Sequence, residues 1–342
     1  MSRAKKGKII SISFTLILML FVVFAMLIKI SETSSTPFIG SGGDLSDGAL
    51  PGLSGLSVVP LTPDSSGTAA QSDEVGGETE ETPLFEDDNF ITVQMDSSDV
   101  HRGNLILING DTRYEIPDES DIVDISGQKT KSYRVADSAL LLSGSIIDPL
   151  NEMMDAFFDE TGCDTVTVIS AFRDYQRQQE ILDDLTATVG RTEARKRAAV
   201  PGHSEHHAGL AVDFGVFSDG NISTFFGTGT TAWFVVNAYK YGFIPRYPEN
   251  KTEITKTAYE PWHFRYVGSP HAYFIRQHGF CFEEYMDFVM GFTSDKPFNG
   301  ASYDGTKYEI YFTPNSEIVI PSDREADISG NNKNGFIVTI KL

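Results

Sequence analysis

The chain has 342 residues, 40% hydrophobic and 11% aromatic, with a formal net charge of −21. That is enough apolar material for one sizeable folded domain with appendages, or for two small domains. The charge excludes a nucleic-acid partner, which would need a basic face.

In chain order, Arg3, Lys5, Lys6 and Lys8 precede an apolar run, 9–28, interrupted only by Ser11, Ser13 and Thr15. As a helix rising about 1.5 Å per residue it spans roughly 30 Å, the thickness of a bilayer's hydrocarbon core. The basic flank before it, against Lys29 alone just after it, predicts a single-pass membrane anchor over 1–30, with the remaining chain outside the cell. A cleaved signal peptide would carry a shorter apolar stretch and a small-residue cleavage site, and none follows Leu27. Residues 31–89 are rich in Gly, Ser, Thr and Pro and hold twelve acids with no Lys or Arg. Such a segment cannot offset its ordering entropy by burial, so a disordered acidic tether is expected, with a reach of about 45 Å. It carries −12 of the net charge, so the acidity describes the tether rather than a site.

Order is expected from Phe90. "FITVQM" and "NLILING" alternate apolar and polar residues, Asn109-Gly110-Asp111 reads as a turn and "TRYEI" as a return strand, giving a β-rich lead-in over 90–135. Ile146, Leu150, Met153, Met154, Phe157 and Phe158 recur at helical spacing up to Gly162. "TVTVIS" is a strand. "YQRQQEILDDL" and "RTEARKRAA" form a helical pair, "TAWFVVNAYKY" is a helix ending at Gly242, and "WHFRYVG" is a strand. "SPHAYFIRQHG" and "FEEYMDFVMG" are helices, and His271 and His278 within the first are expected to be solvated. Residues 283–342 combine the end of that last helix with a small β appendage built on "KYEIYFTP", "SEIVIP" and "GFIVTIKL". Cys163 and Cys281 are compatible with a disulfide in an exported chain or with two buried thiols. The fold class expected is α+β, with helices packed on a small antiparallel sheet and β-rich segments flanking it.

Seven histidines limit any metal site. The informative ones are His203, His206 and His207 around "SEHHAGLAVDF", and His263 in "YEPWHFRYVG". Together with Asp213 they supply the three N and O ligands of a catalytic zinc site that keeps one position open. Glu260 would stand beside it as an unliganded carboxylate. Pro261 before a strand-like run suggests that turns bring these groups together. In an extended segment, parity would pair His207 with Asp213, but Ala208-Gly209 could break the extension, so spacing does not choose between His206 and His207.

A resemblance does. Ser204, His206, Gly209, Ala211 and Asp213 match S-x-H-x-x-G-x-A-x-D, and Glu260, Trp262 and His263 match E-x-W-H. With "SAFRDYQRQ" and "GFIPRYP", these resemble the VanY-type D-alanyl-D-alanine carboxypeptidases, zinc metallopeptidases related to the D-Ala-D-Ala dipeptidases. The likeness covers roughly 136–280, and His207 departs from it where a Gln or other polar residue is usual. It implies a zinc peptidase domain over 136–282 whose sheet carries the metal. His206, Asp213 and His263 would bind Zn2+, leaving His203 and His207 as structural residues. Glu260 would be the general base and Arg173 would grip the substrate's carboxylate or the developing oxyanion. Gln178 and Ser204 would line the same subsite, and Trp262 would form a wall for the D-alanine methyl group. The expected partner is a peptidoglycan stem peptide ending in D-alanine, attacked outside the cell by a membrane-anchored monomer. An L,D-carboxypeptidase or endopeptidase on the same wall peptides would share these motifs. A non-catalytic zinc-bearing wall-binding module would be expected to lack the carboxylate at Glu260 or the guanidinium at Arg173.

Overall fold

Alternation along two neighbouring strands sets one face of the central sheet into the core and the other toward a polar cleft. The computed structural model describes residues 89–115 and 121–342. The anchor and all but the last residue of the tether that the sequence suggests lie outside the described residues; among those described, no helix is long and apolar enough to cross a membrane.

The strands are β1 (Phe90–Gln94), β2 (Ile122–Asp124), β3 (Arg134–Val135), β4 (Leu141–Ser143), β5 (Val166–Ser170), β6 (Ala211–Ser218), β7 (Asn221–Thr224), β8 (Phe243–Tyr247) and β9 (Glu260–Tyr266). Then come β10 (Phe298–Ala301), β11 (Lys307–Thr313), β12 (Glu317–Pro321), β13 (Ala326–Gly330) and β14 (Phe336–Lys341). The central sheet runs β3-β5-β6-β9-β8, with β7 paired to the outer half of β6. Its ladders are antiparallel except for the two-residue β3–β5 contact, which is parallel.

The helix Ile147–Thr161 buries Ile147, Leu150, Met153, Met154 and Phe157, and ends where Gly162 turns left-handed at φ 67°. That conformation suits a residue without Cβ. Its apolar stripe joins Val166 and Val168 of β5, Val212 and Phe214 of β6, and Phe264 of β9 in the principal core. Phe214 packs against Phe225, Phe234 and Phe264 at centroid distances of 5.7, 5.4 and 5.4 Å. Truncating such a side chain to Ala costs about 3–5 kcal/mol. Because side chains alternate along a strand, burying Val212 and Phe214 turns Asp213 to the other face. His263 lies directly opposite Asp213 in the β6–β9 ladder, so both face the cleft.

Several expectations need correction. "NLILING" joins no strand. Leu105, Ile106, Leu107 and Ile108 are all buried, the odd-numbered pair in a second core with the helices Ser269–His278 and Phe282–Val289, the even-numbered pair in the principal core. The segment threads between two cores, and its backbone is satisfied largely by side chains. Ser329 Oγ accepts from Leu105 N–H, Arg265 Nη2 donates to the carbonyls of Asn104 and Ile106, and Asn332 Nδ2 donates to that of Leu107. Residues 112–115 of "TRYEI" are likewise in no strand; β1 pairs instead with β12 of the C-terminal region, Phe90 opposite Pro321. His271 is buried, not solvated: Tyr285 Oη lies 2.6 Å from its Nδ1 and Thr339 Oγ1 lies 3.1 Å from its Nε2. Cys163 and Cys281 are both free thiols.

Candidate metal centre

"EPWH" is not a turn: Glu260 and His263 both lie on β9, and the extra residues needed to bring Glu260 opposite Tyr247 are absorbed by an irregularity in the β8–β9 register. Such bulges re-aim side chains next to sites. The turn lies instead before β6. Glu205–Ala208 is a 3-10 turn that Gly209 ends at φ 65°. A Cβ at Gly209 would lie 2.9 Å from the backbone nitrogen of Ser143. This turn breaks the parity of an extended chain and brings His206, not His207, beside Asp213.

His206, Asp213 and His263 form the cluster, with one donor atom from each within 4.8 Å of the others. The Asp213 carboxylate lies between the rings: Oδ1 is 2.8 Å from His263 Nδ1, and Oδ2 is 3.3 Å from His206 Nε2. The opposite nitrogens are engaged elsewhere. His206 Nδ1 donates to the Ala171 carbonyl at 2.5 Å, and His263 Nε2 faces Glu205 Oε2 at 3.4 Å. An outer partner on each histidine fixes its tautomer and ring plane, as at metal sites generally. His206 Nε2 is buried without a hydrogen-bond partner among the described residues. A buried nitrogen left bare is costly unless something unseen binds it. Three N and O donors, one of them an orphaned nitrogen, fit a zinc ion with an open position.

His207 is fully occupied otherwise. Its Nδ1 donates to the Arg173 carbonyl at 2.7 Å, its Nε2 accepts from Gly202 N–H at 2.9 Å, and its ring stacks on Tyr175. His203 Nδ1 pairs with the Asn109 carbonyl.

Charge sorts the remaining groups. Burial opposes ionisation of Asp213, yet the two histidines hold its carboxyl well below the usual range. Burial also disfavours a charged His263, but its hydrogen bonds to Asp213 and Glu205 outweigh that and raise it to about 9. Burial, helped by the Arg173 charge, pushes His206 down to about 4. Glu260 goes the other way: burial raises its carboxyl to about 7, against the pull of His263. A carboxyl poised near neutrality suits a general base.

Arg173 is mostly buried, with Nη2 at 3.6 Å from Asp213 Oδ2 and Nη1 donating to Gln178 Oε1 at 3.0 Å. Its Nε is buried and unpartnered among the described residues. Gln178 Nε2 donates to the Ala199 carbonyl at 2.7 Å, which fixes the amide whose oxygen accepts from Arg173. Ser204 is buried and opens the 3-10 turn. Trp262 packs against the principal core, and alternation sets it on the face of β9 opposite His263.

The sequence reading passed over Glu205, Arg246, Arg265 and Tyr247. Glu205, Arg246 and Arg265 are completely buried, and the Tyr247 ring lies 5.0 Å from that of His263. A signal was available: Arg246 and Arg265 each interrupt an apolar strand, where a buried guanidinium requires an anion.

The family model for VanY-type D-alanyl-D-alanine carboxypeptidases matches residues 140–269. A D-alanyl-D-alanine carboxypeptidase of Enterococcus faecium is 35% identical over 249 residues, spanning 70% of this chain and 76% of that protein. One of Enterococcus faecalis is 35% identical over 213 residues, spanning 59% of this chain and 72% of that protein. A solved structure of the vancomycin-resistance D,D-dipeptidase VanXYg, with a D-Ala-D-Ala phosphinate analogue, has a TM-score of 0.67 at 30% identity, covering 74% of this chain and 99% of that one.

Proposed function

Because the chain belongs to the VanY family of D-alanyl-D-alanine carboxypeptidases, we propose that it removes the C-terminal D-alanine from peptidoglycan stem peptides, with a zinc ion held by His206, Asp213 and His263. The observation that carries the metal assignment is the orphaned His206 Nε2 beside Asp213. Zinc bound there would supply Lewis acidity, lowering the pKa of water and polarising the scissile carbonyl.

The chain's own residues do the rest. The Glu260 carboxylate, outside the three-residue donor set, takes the proton of the attacking water and delivers it to the departing D-alanine nitrogen. The C–O bond forms first, leaving the carbonyl oxygen as the oxyanion; the C–N bond then breaks as the oxyanion re-forms the carbonyl and the nitrogen takes the proton from Glu260. Arg173, held by Gln178 and Asp213, offers a planar cationic fork to the terminal carboxylate or to the oxyanion. Mass spectrometry of digests tests this reading. A pentapeptide stem should lose one D-alanine in a reaction abolished by chelation and restored by zinc. Release from a tetrapeptide stem alone would move the reading to an L,D-carboxypeptidase, and internal cleavage to an endopeptidase. Stoichiometric zinc without turnover would leave a binding module.

The basic flank and apolar run before residue 30 support a companion proposal, that the catalytic unit acts outside the cell as an anchored monomer. Protease added to intact cells should release a fragment beginning within 31–89; its release only after lysis would reverse the orientation.

A further inference from the structure

Behind His263 lies a second charged cluster, in which Glu205, Arg246 and Arg265 are buried and Glu283 is partly exposed. Glu205 sits on the 3-10 turn immediately before His206, and its side chain is 0% exposed. One carboxylate oxygen, Oε1, accepts from Arg246 Nε at 2.7 Å and from Arg265 Nη1 at 3.0 Å. The other, Oε2, faces His263 Nε2 at 3.4 Å. Arg246 is fixed in turn by both carboxylate oxygens of Glu283, at 2.9 and 2.6 Å, and Arg265 by the carbonyls of Asn104, Ile106 and Tyr266. Burying an ionised carboxylate costs several kcal/mol before its partners offset it. A cluster serving stability alone would need no oxygen turned to an imidazole nitrogen.

Resting on the zinc reading above, we infer that Glu205 is the positioning residue of the centre: it accepts the Nε2–H of His263 and thereby reserves Nδ1, the nitrogen that faces Asp213, for the metal. The two oxygens have separate duties, which makes the inference sharp. In Glu205→Gln the amide oxygen stays with the arginines, because both are donors. The amide nitrogen must then face His263 Nε2 and donate to it. That nitrogen would become an acceptor, and the ring proton would move to Nδ1, the atom the metal needs free.

The test compares two variants of the full-length chain by zinc competition against a chromophoric chelator. Glu205→Gln should bind zinc about 10–100-fold more weakly than wild type. Glu283→Gln loosens Arg246 equally but touches no histidine; it should lower the unfolding temperature while keeping zinc affinity within about threefold of wild type. Equal loss in the two variants, or unchanged affinity in Glu205→Gln, overturns the positioning role. If Glu205→Gln does not fold, nitrogen NMR of 15N-histidine wild type with zinc decides: a proton on Nε2 of His263 supports the inference, and one on Nδ1 overturns it. Wild type that takes up no stoichiometric zinc would instead sink the metal reading on which the inference stands.

Discussion

Two buried charge clusters meet at His263, and they are built to opposite rules. In the Glu205–Arg246–Arg265–Glu283 cluster every guanidinium nitrogen has a partner, at 2.6 to 3.0 Å. In the cluster of His206, Asp213, Arg173 and Glu260, His206 Nε2 and Arg173 Nε are the buried side-chain atoms left without partners among the described residues. Closed clusters lock geometry; open ones bind what is missing. The contrast teaches that buried charge alone does not mark a site, whereas buried charge with unfilled valences does.

The widest separation of the two should come from Glu260→Gln. It keeps shape but cannot act as a base, so kcat should fall by a factor of about 10² to 10⁴ with zinc content and unfolding temperature near wild type. Steady-state kinetics and metal analysis check it; lost zinc would make Glu260 a ligand. The converse change, Arg246→Met, strikes the closed cluster and leaves Glu205 and Glu283 short of a cation. It should cost about 3–5 kcal/mol in denaturant unfolding, and a neutral outcome would erase the distinction.

Within the open cluster, His206→Ala should remove most bound zinc. His207→Ala should leave it nearly stoichiometric, because that ring bonds to Gly202 and Arg173 and stacks on Tyr175 rather than facing Asp213. The reverse result in metal analysis would transfer the ligand role. Arg173→Lys keeps charge but not the fork, so kcat/KM should fall at least about tenfold, about 1.4 kcal/mol. If the substrate carboxylate is the partner, amidating it should harm wild type more than the variant.

The smallest effect is a proton. Metal-free His263 holds its proton up to about 9 rather than 6.5. Its folded value exceeds its unfolded one, so its contribution to stability is full below about 6.5 and is lost as pH rises through about 9. The unfolding temperature of chelated protein should therefore decline across that window, less so with zinc bound. Zinc uptake at pH 7.5 should release about one proton from this ring, measured by calorimetry in buffers of different ionisation enthalpy.

What could be read from the sequence follows the same divide. His206, Asp213, His263 and Glu260 belong to short motifs of fixed spacing, and they do converge on one cleft. The helix before them was legible because apolar periodicity reports one-sided burial, as in Ile147–Thr161, whereas Ala211–Ser218 was not read as a strand. Glu205 escaped because a lone acid beside two histidines looks solvated; its meaning depends on arginines roughly forty and sixty residues away, brought near only by β8 and β9. The segment at Leu105 escaped for a related reason: alternation there separates two cores rather than core from solvent.

The β1–β12 pairing bears on how the chain is made. Phe90 has no ladder partner until Pro321 exists, roughly 230 residues later in synthesis. At about 5–20 residues per second, the strand waits on the order of ten to fifty seconds with an unpaired edge. Phe90 and Ile91 are still about half exposed once paired, so during that wait the edge offers both backbone and apolar surface to any neighbouring nascent chain. Pairing with β12, made roughly 230 residues later, is thus what covers this edge of the earliest described strand.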